Sequence, residues 1–209
     1  VTVSLLARHI PALAESSLAD LAAEPPWALT AAAGDIVRRL LVRLGEDFAV
    51  ADEVALHRSA RVEPGAVLKG PVIVGPLCVI GHGATVRGGA WLEGACTIGP
   101  GAELKASFLF AGTALAHFNF VGESVIGRGV NLEAGAVIAN HRNEWPGATV
   151  VFRHDGATID TGCPKFGALV GDGARLGANA VVAPGAILAP GTVVPRLGLV
   201  DHGVPPDLR

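Results

Sequence analysis

The chain has 209 residues, a formal net charge of −3, 17% charged and 50% hydrophobic residues, and contains no Tyr or Met. This length admits one substantial domain with an appendage, and so apolar a composition excludes a disordered chain. The slightly acidic balance offers no positive field, so neither nucleic acid nor a membrane is expected as a partner. Cys78, Cys96 and Cys163 are odd in number and lack a C-x-x-C spacing, which argues against a disulfide framework or structural zinc. Charged residues from Arg8 to Asp20 interrupt the first apolar stretch, and no run reaches the length of a membrane span. A reduced, cytoplasmic setting is expected.

Residues 1–55 read as a helical cap or linker. Leu29, Ala33, Ile36, Val37, Leu40, Leu41 and Leu44 recur at helical spacing, with Asp35, Arg38, Arg39, Arg43 and Glu46 on the other face. Pro25-Pro26 marks the start and Gly45 the end of that helix. Residues 4–23 are expected to be helical as well.

Residues 56–198 carry a six-residue repeat. Stepping by six from Val62 gives Leu68, Val74, Ile80, Val86, Leu92, Ile98, Leu104 and Phe110, all large and apolar. Nine such positions in a row arise by chance about once in 500 trials at half-apolar composition, so the period is a signal. Four residues after the spine stand mostly small side chains, among them Ala66, Cys78, Ala84, Ala90, Cys96 and Ala102. The same grammar returns at Ile126, Leu132 and Ile138 and from Val170 to Val194. Six fits neither a helical period nor plain alternation. It fits a mainly β solenoid, whose short strands turn tight corners around an aliphatic spine.

Two breaks interrupt the repeat. Phe110 to Ile126 is two residues short of three hexapeptides, so the coil around Leu115–Val125 must deviate. The second is an inserted arm, residues 139–169, in which Thr149–Phe152 and Ala157–Ile159 flank a His154-Asp155-Gly156 turn of the type I′ kind. Such an arm can reach a neighbour or cover a ligand. Residues 199–209 form a tail.

Several residues could carry chemistry. With eighteen residues per coil, Arg87 and Lys105 lie one above the other, and two such cations invite an anion the size of phosphate. His117, in the irregular coil, is of the type that takes a proton near neutral pH. Asn131 and Asn140 flank the Leu132–Ile138 stretch and can bond to hydroxyls or an amide, or simply turn corners. A metal held by His82, His117 and His141 between subunits is the rival reading of the histidines; their spacing argues against it, and no metal is expected.

The hexapeptide pattern resembles the left-handed parallel β-helix of the hexapeptide-repeat acyltransferases, whose subunits form trimers. Arg87-Gly-Gly, Leu104-Lys105-Ala106, Ala116–Gly122, Ile126–Asn131 and Glu133–Asn140 are similar to the glucosamine-1-phosphate N-acetyltransferase domain of bifunctional UDP-N-acetylglucosamine-synthesising enzymes. The arm is more like that of archaeal-type sugar-1-phosphate nucleotidyltransferases with an acetyltransferase tail, in Ile159–Gly162 and Lys165–Ala168. The resemblance implies an acetyl-CoA-dependent N-acetyltransferase acting on an amino sugar 1-phosphate or related amine, as a homotrimer. Arg87 and Lys105 would hold the phosphate, His117 would deprotonate the amine, and Phe120, Asn131 and Asn140 would orient the sugar. The backbone N–H of Ala134 would meet the oxyanion, and Ala178 would lie on the coenzyme side. Phe120 replaces a Tyr, Ala178 replaces a Ser, and the lysines after Asn140 are absent, leaving Arg142, Arg153 or Lys165 as substitutes. The 55 residues before the solenoid are too few for the nucleotidyltransferase half, so that activity is not expected of this chain. The alternative implied function is a non-catalytic module that binds a sugar nucleotide or scaffolds a separate nucleotidyltransferase.

Overall fold

A computed structural model describes residues 4–208. The repeat folds as a three-faced β-solenoid whose strands stack in parallel at each face. Sheet A contains Val72–Val74, Ala90–Leu92, Phe108–Leu109, Val125–Ile126, Ala168–Val170 and Ala186–Leu188, preceded by Val54–His57 and an antiparallel Phe48–Ala51. Sheets B and C have seven strands each, B from Arg61–Val62 to Val193–Val194 and C from Val67–Lys69 to Leu199–Val200. Sheet B includes Ala114–Leu115 and Asn131–Leu132; sheet C includes Thr85–Arg87, Glu103–Lys105 and Phe120–Gly122.

The spine residues fill the interior as the period predicts, with Cys78, Ala84, Cys96 and Ala102 in the small positions beside them. The register then slips. Leu104 is followed inside by Leu109, and Val121 by Ile126, each a step of five. The expected interior Phe110 therefore points outward into a second core, as does Phe108. The deficit placed around Leu115–Val125 is instead shared by two C-to-A corners, each one residue short. Ala106 and Glu123 take up these shortened corners at φ 46° and 41°. Ser107 and Ser124 lock them: the Ser107 hydroxyl donates to Lys105 O and accepts from Ser124 N at 3.0 Å, and the Ser124 hydroxyl accepts from Ala168 N.

The second core lies outside sheet A. From Val72–Val74 onward, the residue before each sheet A spine position is large and apolar: Ile73, Trp91, Phe108, Val125, Leu169 and Ile187. These meet α1 (Leu5–His9), α2 (Pro26–Ala31) and α3 (Ala33–Leu41), together with Val150, Phe152 and Phe166 of the arm. Residues 4–23 are only partly α-helical, continuing after Pro11 as short 3₁₀ turns. The expected single helix of residues 26–44 is two, broken at Ala32, and it ends at Leu41, ahead of Gly45. The hairpin pairs Val151–His154 with Ala157–Asp160 through a turn in which both Asp155 and Gly156 have positive φ. It folds back on its own chain, with Phe152 edge-on to Trp27 at 5.8 Å and bridged to Gly203. Among the described residues, no helix is long and apolar enough to cross a membrane.

Candidate functional site

Sheet C has the predicted residues at both of its edges. At the B-to-C edge a column of corners stacks His82, Pro100, His117, Ala134 and Ala178. The carbonyl of each accepts an N–H from the coil above; those of His117 and Ala134 accept from Gly135 N at 2.9 Å and Asn179 N at 3.0 Å. His117, Ala134 and Ala178 are thus brought into one line, with the His117 side chain exposed. Buried Asn119 ties this corner to the next coil by donating to Glu133 O and Ala136 O. The Phe118 ring lies over Gly101 of the coil below and is 73% exposed.

Beside this column, on sheet B, lies a groove of about 490 Å³ lined by Asn131, Glu133, Arg175, Gly177, Val193 and Arg196. Asn131 stands in register between Ala114 and Arg175. The Glu133 carboxylate accepts from Ala178 N at 2.8 Å and pairs with Arg196 at 2.9 Å, tying three successive coils together.

At the C-to-A edge Lys69, Arg87, Lys105 and Gly122 succeed one another in register, so Arg87 and Lys105 stack as the eighteen-residue step predicts. The stack is not a bare cationic patch. Arg87 pairs with Glu103 at 2.7 Å, and Lys105 pairs with Glu123 at 2.5 Å. The same Glu123 carboxylate accepts a hydrogen bond from the Asn140 amide. Its side chain is only 9% exposed. Phe120 and Asn140 both crowd against Gly122, so they belong to this edge.

A cleft of about 350 Å³ opens there between the α2–α3 junction, the corners and the arm. Its lining includes Thr30, Gly88, Lys105, Glu123, Cys163 and Lys165. Of the three substitutes for the missing lysines, Lys165 is the one that lines this cleft. Arg142 is committed elsewhere: nearly fully buried, it binds Asp201, Glu144 and Pro184 O and stacks on Trp145 at 4.6 Å. Arg153 is exposed on the hairpin. Glu103, Glu123 and Glu133 were not foreseen, although Glu123 is one ideal coil beyond Lys105. His82 and His141 bond to the carbonyls of Pro64 and Pro164, and no group of three or more metal-ligating side chains occurs among the described residues.

The single chain therefore presents two clusters. Lys105, Phe120 and Asn140 gather at one edge of sheet C, with Arg87 one coil below Lys105. His117, Ala134 and Ala178 line the other edge, next to Asn131 on sheet B.

No family profile matches the chain. In sequence it is similar to bifunctional protein GlmU of Carboxydothermus hydrogenoformans, 32% identical over 90 residues, covering 42% of this chain and 18% of that protein. It is 33% identical over 110 residues to GlmU of Alkalilimnicola ehrlichii, covering 53% and 23%. The chain thus spans less than a quarter of the length of these relatives. Among solved structures, the acetyltransferase domain of PglB from Neisseria gonorrhoeae, in complex with acetyl coenzyme A, matches 83% of this chain and 67% of that one at 17% identity and a TM-score of 0.43. The repeat region of this chain is a hexapeptide-repeat solenoid related to GlmU.

Proposed function

We propose that this chain is an acetyl-CoA-dependent N-acetyltransferase whose acceptor is an amino sugar, with a sugar 1-phosphate as the leading class. The observation that carries the reading is the corner column in which the exposed His117 precedes Ala134 and Ala178. A neutral amine is the required nucleophile, and an exposed imidazole beside the thioester is suited to remove its proton. The amine nitrogen attacks the thioester carbonyl while His117 takes the amine proton. The resulting oxyanion is met by the backbone N–H of Ala134. Collapse breaks the carbon–sulfur bond, and the proton on His117 goes to the departing thiolate.

The groove beside this column supports a place for the coenzyme. Arg175 and Arg196 at its rim are suited to phosphate oxygens. The cleft with Lys105 and Lys165 supports a place for the acceptor, with Asn140 bonded to the Glu123 that lines it and Phe120 beside Asn140 at Gly122. Because these two clusters stand at opposite edges of sheet C, one chain does not close the site. Sheet A is covered, whereas Val193 and Leu199 on the outer sides of sheets B and C are about 70% exposed. A homotrimer that packs sheet B of one copy toward sheet C of the next would join the clusters and cover these side chains.

The test is thiol release from acetyl-CoA in the presence of glucosamine-1-phosphate, galactosamine-1-phosphate and the unphosphorylated amino sugars. Release that requires the amine supports the reading and ranks the acceptors. The carboxylates already paired with Arg87 and Lys105 favour a second reading, a module that binds a sugar nucleotide without acting on it. Ligand binding without thiol release would select that reading.

A further inference from the structure

Glu123 combines a backbone conformation and a degree of burial that carboxylate residues seldom adopt. It stands at a shortened corner with φ 41°, its carboxylate is nearly buried, and two donors from different coils converge on it: the Lys105 ammonium and the Asn140 amide. Lys165 lines the same cleft. One carboxylate thus occupies the place where two donors are aimed, in a cavity with room for a larger guest.

We propose that Glu123 is a specificity-determining internal anion, which the acceptor's own anionic group must displace from Lys105 and Asn140. This rests on reading the cleft as the acceptor site. The exchange selects by charge. An incoming carboxylate replaces one singly charged, two-oxygen group with another and gains nothing for the desolvation it undergoes. A phosphate monoester brings a charge of about −1.5 to −2 and three acceptor oxygens, enough to engage Lys105, Asn140 and Lys165 together. The gate therefore favours phosphorylated acceptors over carboxylated ones. Glu123 touches the two donors, and its effect on the acceptor is through them.

The experiment measures binding of inorganic phosphate and of acetate to the whole chain by calorimetry, with no coenzyme present, so it is independent of acetyl transfer. The wild-type protein is expected to bind phosphate and to bind acetate at least tenfold more weakly. Glu123→Gln keeps an oxygen facing both donors but removes the charge. It is expected to bind phosphate about tenfold tighter, the factor for one competing charge-assisted hydrogen bond, and to lose most of the discrimination. Glu123→Asp, which keeps the charge and shortens the reach, should fall between and serves if the Gln variant does not fold. Lys105→Ala should abolish the phosphate response. Unchanged or weaker phosphate binding in folded Glu123 variants would overturn the proposal, as would no phosphate binding by wild type. Failure of acetyl transfer alone would leave this result standing.

Discussion

A β-carbon at Gly122 would lie 2.6 Å from Nδ2 of Asn140, so the absence of a side chain at 122 is what lets that amide reach Glu123. Gly122 does not have a positive φ, so Gly122→Ala carries little backbone penalty and acts through the displaced amide. The substitution is expected to lower kcat/KM for acetyl transfer by about 10²-fold, the scale of an ångström-level misplacement, with little change in melting temperature. Steady-state kinetics beside a thermal melt checks this; unchanged kcat/KM would remove Asn140 from the site.

The second core holds the helices and the arm on sheet A. Phe152 is fully buried, edge-on to Trp27 and tilted against Phe166 at 6.3 Å. Phe152→Ala is expected to cost about 3–5 kcal/mol, because the cavity opens between elements that cannot collapse independently. Denaturant unfolding measures it. A loss below about 1 kcal/mol would mean that the arm contributes little to holding this core together.

Acid should loosen the junction where α1, the hairpin and the C-terminal tail meet. His9 lies 6.2 Å from His154, ring centre to ring centre, and the Nδ1 of His202 accepts a hydrogen bond from Ile187 N, which requires that nitrogen to be unprotonated. Burial, opposed by the Leu5 carbonyl and reinforced by His154, holds His9 below the usual imidazole value; burial and His154 do the same for His202. The neighbouring charges are Arg8, paired with Asp155, and Asp201, paired with Arg142. Because the folded values are depressed, the unfolded chain binds more protons as pH falls through the imidazole range. The stabilisation is present above about pH 6.5 and is lost below it. Melting temperature should therefore fall between pH 7.5 and 5.5, and His202→Gln should flatten that slope. A slope unchanged by His202→Gln would assign the acid sensitivity to other groups.

The spine from Val62 to Leu104 was legible because one large residue every six has no competing explanation. The slip was not, because both Leu109 and Phe110 are large and apolar and periodicity cannot choose between them. The corner serines that fix the choice act through hydrogen bonds between coils, which no linear spacing reveals. The covering of sheet A did have a linear signal: Ile73, Trp91, Phe108 and Val125 each precede the interior residue of their strand. Reading the outer side of every third hexapeptide would have separated one buried face from two exposed ones. At the site, the stacking of Arg87 on Lys105 followed from the period. Their neutralisation did not, since it depends on side-chain reach between coils: Glu103 meets Arg87 diagonally across neighbouring strands of sheet C, and Glu123 meets Lys105 from a shortened corner.

The role proposed for His117 is that of the base. Its imidazole is exposed and makes no hydrogen bond or ion pair among the described residues, and its carbonyl keeps its bond to Gly135 N when the side chain is removed. The most direct measurement is single-turnover acetyl transfer from bound acetyl-CoA to a saturating amino sugar phosphate, comparing wild type with His117→Ala at equal melting temperature. A loss of about 10²–10⁴-fold in rate is expected, with acetyl-CoA affinity unchanged. An undiminished rate in the folded variant would contradict it.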